Sequence, residues 1–338
     1  MHLSAALLLS VLPLGALAGL PHQGSLRRRH FEHARSVTRR GPTYKLVDDY
    51  NKDTFFDMFD FFTESDPTHG RVTFLGKDDA KKANLTYVQD DGTIVMAVDD
   101  YTTLSPGQNR NSIHINSKKK YDAGSLIIAD MWSMPHGCST WPAYWTVGSP
   151  WPDHGEVDIL ENVNEATFNQ ITAHTGDSCE LQNSVKTTGR LVGTKCTSSA
   201  DSNSGCPFVT DQVQGNLTYG RGFNMNGGGV FAHTWTNDAI TVWFFPRGQV
   251  PQDITDGNPN PDNWGTPAAL FQSSDTCNIE QSFQQHQIVF DITLCGDWAG
   301  AAYASSGCPG TCDQAVADPN NFKFAKFKLA GLKVYQQQ

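Results

Sequence analysis

Glu156, Asp158 and Glu161 stand close together in the stretch GEVDILEN, residues 155–162. Side chains of a β-strand alternate between its two faces, so Glu156 and Asp158 share one face, while Val157 and Ile159 take the other. Glu161 is out of step. In a regular strand it would enter the apolar interior, where an unpaired carboxylate is very costly. One extra residue, a β-bulge near Ile159 and Leu160, returns it to the acidic face. Closely spaced carboxyls repel one another, so at least one of the three keeps a proton at neutral pH. Retaining glycoside hydrolysis needs that condition: one carboxylate attacks the anomeric carbon, and a protonated partner donates to the leaving oxygen and later activates water. The plain alternatives are a solvated acidic edge or a set of calcium ligands. Trp141-Pro-Ala-Tyr-Trp145 and Trp151-Pro-Asp-His lead straight into the acids, and flat apolar rings are what sugar rings stack on. This aromatic approach favours catalysis on a carbohydrate, although spacing alone does not order the roles.

Such a ridge needs strands to carry it. TIVMAVDD, SLIIADMW, AITVWFFPRG, HQIVFDITL and FAKFKLAGLKVYQ read as short strands separated by Gly, Asn, Asp and Pro clusters. In HQIVFDITL, Ile288, Phe290, Ile292 and Leu294 alternate with Gln287, Val289, Asp291 and Thr293. In AITVWFFP, Ile240, Val242 and Phe244 alternate with Thr241, Trp243 and Phe245. Long amphipathic helices are hard to find, and the aromatics of YKLVDDYNKDTFFDMFDFF read as core or surface lining. The expectation is an all-β sandwich of two antiparallel sheets in one domain, residues 41–338. At least half of the eight Trp are expected in core or loop packing. Trp141 and Trp243 are core candidates.

The chain begins with MHLSAALLLSVLPLGALA, whose apolar run is too short to span a bilayer and closes on Ala16-Leu17-Ala18. Residues 1–18 therefore read as a signal peptide, and the basic stretch 19–40, ending on Arg39-Arg40, as a propeptide. Formal net charge is −10; residues 1–40 hold six Arg against one Glu, so the remainder carries −15. That surface disfavours nucleic acid and anionic membranes, and no later segment has the length of a membrane span. Eight Cys, all beyond residue 130, suggest disulfides in a secreted protein, with pairing that spacing does not reveal. Cys308-Pro-Gly-Thr-Cys312 lacks the second Cys/His pair that zinc would need. Asn84 and Asn216 begin Asn-Leu-Thr sequons. No Gly-rich nucleotide fingerprint occurs, so no cofactor is expected; whether a structural calcium is bound is not legible.

Glu156-Val-Asp158-Ile-Leu-Glu161 matches the pattern Glu-x-Asp-x-x-Glu. With TWPAYWTVG, WPDHGEVDILENVN, His174-Thr175, VWFFPRGQVP and FDITLCGDWAG, it resembles glycoside hydrolase family 16 from about Tyr44 to Tyr335. The likeness is greatest to the secreted fungal endo-β-1,3(4)-glucanases of laminarinase type. The resemblance implies a β-jelly roll with a sugar cleft across a concave sheet. It implies Glu156 as nucleophile, Glu161 as acid/base and Asp158 as the residue assisting them. Trp145, Trp151, His174 and Trp298 become candidate sugar-binding residues. Relatives often carry Arg where NSIHI has His114, which puts affinity on the non-reducing side in question. Relatives also often carry Gly where Asn162 stands, which bears on the backbone leaving the bulge. The implied activity is a retaining endo-β-glucanase, monomeric, acting on β-1,3 or mixed β-1,3/1,4-glucan. The alternatives are a transglycosylase of the cell wall or a glucan-binding protein without chemistry. The chain ends in KFKLAGLKVYQQQ with no long apolar tail, which favours a freely secreted hydrolase over an anchored transferase.

Overall fold

Alternation of apolar residues builds two large antiparallel sheets in this computed structural model, which describes residues 43–338 other than 178, 183–185, 200, 201, 214 and 216. The expected signal peptide, the expected propeptide and Asn216 of the second sequon lie outside the described residues. One eight-stranded sheet runs in the order Arg190–Leu191, Phe208–Val209, Gln170–His174, Glu156–Glu161, Thr140–Val147, His286–Leu294, His114–Tyr121 and Phe59–Phe61. In the second, the long C-terminal strand Lys326–Gln337 lies between Ser125–Ser133 and Ile94–Ala97, and also pairs with Tyr44–Tyr50. Several neighbours are distant in sequence, Thr140–Val147 with His286–Leu294 and Ser125–Ser133 with Lys326–Gln337 among them, as in a jelly roll. Helices among the described residues are no longer than six residues, and none is long and apolar enough to cross a membrane.

The core forms where the inner faces meet. Val157, Ile159, Tyr144, Ile171, Phe290 and Ile292 from the acidic sheet pack with Ile127, Phe231, Ile240, Val242 and Leu332 from the other. The alternation expected in AITVWFFP holds, but its second face does not meet solvent. Trp243 and Phe245 join Trp264, Val230 and Tyr335 in a second buried layer on the back of that sheet. Trp243 is therefore core, as expected. Four disulfides tie the loops: Cys138–Cys308, Cys179–Cys277, Cys196–Cys206 and Cys295–Cys312. The two cysteines of Cys308-Pro-Gly-Thr-Cys312 thus go to different partners.

Candidate active site

The strand Glu156–Glu161 breaks its register where the odd parity of Glu161 demands it. Against Gln170–His174, Asp158 faces Thr172 and the next paired residue is Glu161, facing Gln170. Against Thr140–Val147, Asp158 faces Trp145 and Glu161 faces Ala143. Ile159 and Leu160 are consecutive, yet both are fully buried in the same core cluster. The extra inward residue is the bulge, and it carries Glu161 back to the face of Glu156 and Asp158.

A bulge leaves backbone groups without ladder partners, and one side chain takes them up. The buried Asn169 donates from Nδ2 to the Ile159 carbonyl at 2.8 Å and accepts the Glu161 N–H on Oδ1 at 2.9 Å. Its own N–H donates to the hydroxyls of Thr210 and Thr218. Asn169 was not singled out in the sequence, since a lone Asn between strands looks like any turn residue. Asn162 avoids left-handed backbone; its Nδ2 donates to the Phe168 carbonyl and its Oδ1 accepts from the Val163 N–H. The left-handed residue is Asn164, φ 55°, held by bonds to Ser139, Ala299 and Ser306.

Register brings most of the candidates onto one face. Directly paired residues of antiparallel strands share a face. His174 thus stands beside Glu156, and Trp145 beside Asp158. The His174 Nε2 lies 3.3 Å from Asp158 Oδ2 and 3.9 Å from Glu156 Oε1, while its Nδ1 meets the Ser198 hydroxyl at 2.8 Å. Trp151, 42 % exposed, sits on the loop just before the acidic strand, and its indole lowers the pKa of the Glu156 carboxyl. Trp145 donates to Asp291 Oδ1 at 2.8 Å. Trp141 is a correction. Only partly buried, it lies on the acidic face, donates to Glu161 Oε1 at 2.7 Å and meets Trp298 edge-on, 5.6 Å between centroids. Period two from Trp145 gives it that face. His114 is on the same side but only 8 % exposed, packed among Phe62, Phe74 and Trp145 with Nε2 on Asn116. Burial lowers its pKa to about 4, so it is a neutral ring beneath Trp145 rather than a replacement for a charged fork. Asn84 is exposed, with left-handed backbone just past the helix Lys77–Lys82.

Burial dominates the electrostatics. Glu156 is pushed up to about 8 by burial, then by Asp158; His174 opposes this, Glu161 adds to it, and the Trp151 indole opposes it. Glu161 is likewise pushed up to about 8 by burial and by Asp158, against the Trp141 bond and His174. Asp158 reaches about 8 through burial and Asp291. Asp291 is itself held well above the carboxylate range by burial, in spite of the bond from Trp145. Four carboxyls that resist ionising therefore share one face, and protons remain among them at neutral pH. Single atoms of Glu156, Asp158 and His174 lie within 4.8 Å of one another, a spacing open to a cation. The imidazole nitrogen between the two acids accounts for that cluster without an ion.

Residues 59–335 match the family model described as XgeA-like, catalytic GH16 domain. The chain belongs to glycoside hydrolase family 16. Among curated relatives, it is 42 % identical over 320 residues to a Schizosaccharomyces pombe protein designated a probable glycosidase, covering 93 % of this chain and 73 % of that one. It is 41 % identical to a probable endo-1,3(4)-β-glucanase of Aspergillus niger over 87 % of this chain, but spans only 40 % of that longer protein. Laminarinase 16A of Phanerochaete chrysosporium superposes with TM-score 0.82 at 42 % identity, covering 87 % of this chain and all of that one. An elongating family 16 β-1,3-glucosyltransferase superposes with TM-score 0.81 at 38 % identity, with the same coverage. The two sheets are thus those of the family 16 jelly roll.

Proposed function

We propose that this family 16 domain is a retaining endo-β-glucanase that hydrolyses β-1,3 and mixed β-1,3/1,4-glucans. The observation that carries the proposal is the bulge at Ile159–Leu160, which sets Glu161 on one face with Glu156 and Asp158. The Glu156 carboxylate attacks the anomeric carbon as the bond to the leaving oxygen breaks, and Glu161 gives that oxygen its proton. Glu161, now a carboxylate, takes a proton from water whose oxygen attacks the same carbon. This frees Glu156 and returns the original configuration. Asp158, between them and 3.3 Å from His174, holds the field that keeps one of the pair protonated. The two carboxyls supply nucleophile and proton, so the chemistry calls on no cofactor. Trp151, Trp145 and Trp298 supply flat faces for the sugar chain, His174 a donor beside Glu156, and His114 support under Trp145. The laminarinase with bound β-glucans in its donor and acceptor sites is 42 % identical, which supports this substrate class.

Four disulfides suit an oxidising, extracellular setting, and with it a signal peptide over 1–18, a propeptide over 19–40, and glycan on Asn84 and Asn216. Laminarin digestion followed by proton NMR is the test: the first-formed reducing ends should be β-anomers. Immediate α-anomers would refute retention. Glucosyl transfer is the second reading, favoured by the elongating glucosyltransferase of like fold. Products longer than the substrate would select it.

A further inference from the structure

Glu161 is gripped by a donor that the two-step displacement does not itself require. The Trp141 Nε1–H donates to Oε1 at 2.7 Å, and the edge-on Trp298 packs against that indole. Trp141 projects from the neighbouring strand, two residues from Ala143, which lies directly opposite Glu161. An acid/base carboxyl must hold its proton on the oxygen that faces the bond being cut. A carbonyl-type oxygen accepts a hydrogen bond better than a hydroxyl oxygen does, so an N–H fixed on Oε1 favours the proton on Oε2. When Glu161 is ionised, the same N–H makes a charge-assisted bond, stronger than the neutral one.

We propose that Trp141 is a positioning residue for Glu161: its indole N–H reserves Oε1 and directs proton transfer through Oε2, with Trp298 bracing the ring. The inference rests on Glu161 as acid/base and deepens that reading. Other groups act on the same carboxyl. Glu156 and Asp158 come from its own strand, His174 from Gln170–His174, Asp291 from His286–Leu294, and the last is the Tyr219 hydroxyl, which donates to the Asn162 carbonyl. Among the described residues, Trp141 is the one side chain that donates a hydrogen bond to Glu161.

The direct test is Trp141→Phe, which keeps an aromatic ring and removes the N–H. On polymeric β-glucan, kcat should fall about tenfold or more with KM little changed. The basic limb of kcat/KM should move to higher pH, because Glu161 loses a bond that favours its anion. A higher KM with an unmoved pH profile would overturn the proposal and leave Trp141 as cleft lining. The unmutated protein gives a second measurement, in case the variant fails to fold. One indole N–H resonance should titrate with the midpoint of the basic limb and cease to do so in Glu161→Gln. If all indole resonances keep their pH response in that variant, the proposal fails. Full glucan turnover by Glu161→Gln would remove the acid/base assignment, and this inference with it.

Discussion

At the scale of single residues, the two glutamates are separable by what each must do. Glu156→Gln keeps the shape of the side chain and removes the nucleophile, so turnover of laminarin should fall by about a thousandfold or more, measured as reducing ends released. Glu161→Gln removes a proton donor. Its loss should be about a hundredfold on glucan, yet far smaller on an aryl β-glycoside whose leaving group needs no protonation. Equal losses on both substrates would contradict the assignment. These roles depend on neighbours that a residue list does not contain. Asp291 raises the pKa of Asp158, and the indoles of Trp141 and Trp151 oppose the rise at Glu161 and Glu156.

At the scale of elements, the bulge is the part that chemistry depends on, and Asn169 holds it. Asn169→Ala would leave the Ile159 carbonyl and the Glu161 N–H buried without their partner. Each such loss costs roughly 1–3 kcal/mol, so urea unfolding should show about 2–6 kcal/mol less stability. Activity should fall as well, since Glu161 loses its fixed backbone. A variant that is destabilised but fully active would show that the bulge persists without its plug. The strand alternation in HQIVFDITL was legible because its inward face is purely apolar. Period two from Trp145 gives Trp141 the acidic face, but a Trp read by type alone fits the core equally well; cross-strand register supplies the carboxyl that holds it there.

At the scale of the whole molecule, the buried acids set a pH dependence of stability. Glu156, Asp158 and Glu161 have folded-state values near 8, above the ordinary value of about 4 that the unfolded chain shows. The folded protein then keeps protons that the unfolded chain has released. This contribution is fully present below the unfolded value and is lost as pH rises through the folded one. Calorimetry should therefore find Tm lower at pH 8.5 than at pH 5, with a smaller drop in Glu161→Gln. A drop of the same size in that variant would mean that Glu161 does not hold its proton in the folded state.

The disulfides stabilise at the same scale. Cys138–Cys308 closes a sequence separation of 170, and replacing both by Ser should cost about 2–5 kcal/mol in chemical unfolding. Spacing could count these cysteines but not pair them, because pairing is a statement about where loops return. The alternation of side chains and the forbidding cost of a buried charge, both local, were enough to read the two-sheet class, the acidic face and the bulge from the chain alone. The partners of those acids were not. Trp141 and Asp291 lie 20 and 130 residues from Glu161, and only strand pairing, with the preceding strand for the indole N–H and a remote one for the fourth carboxyl, brings them to the same face.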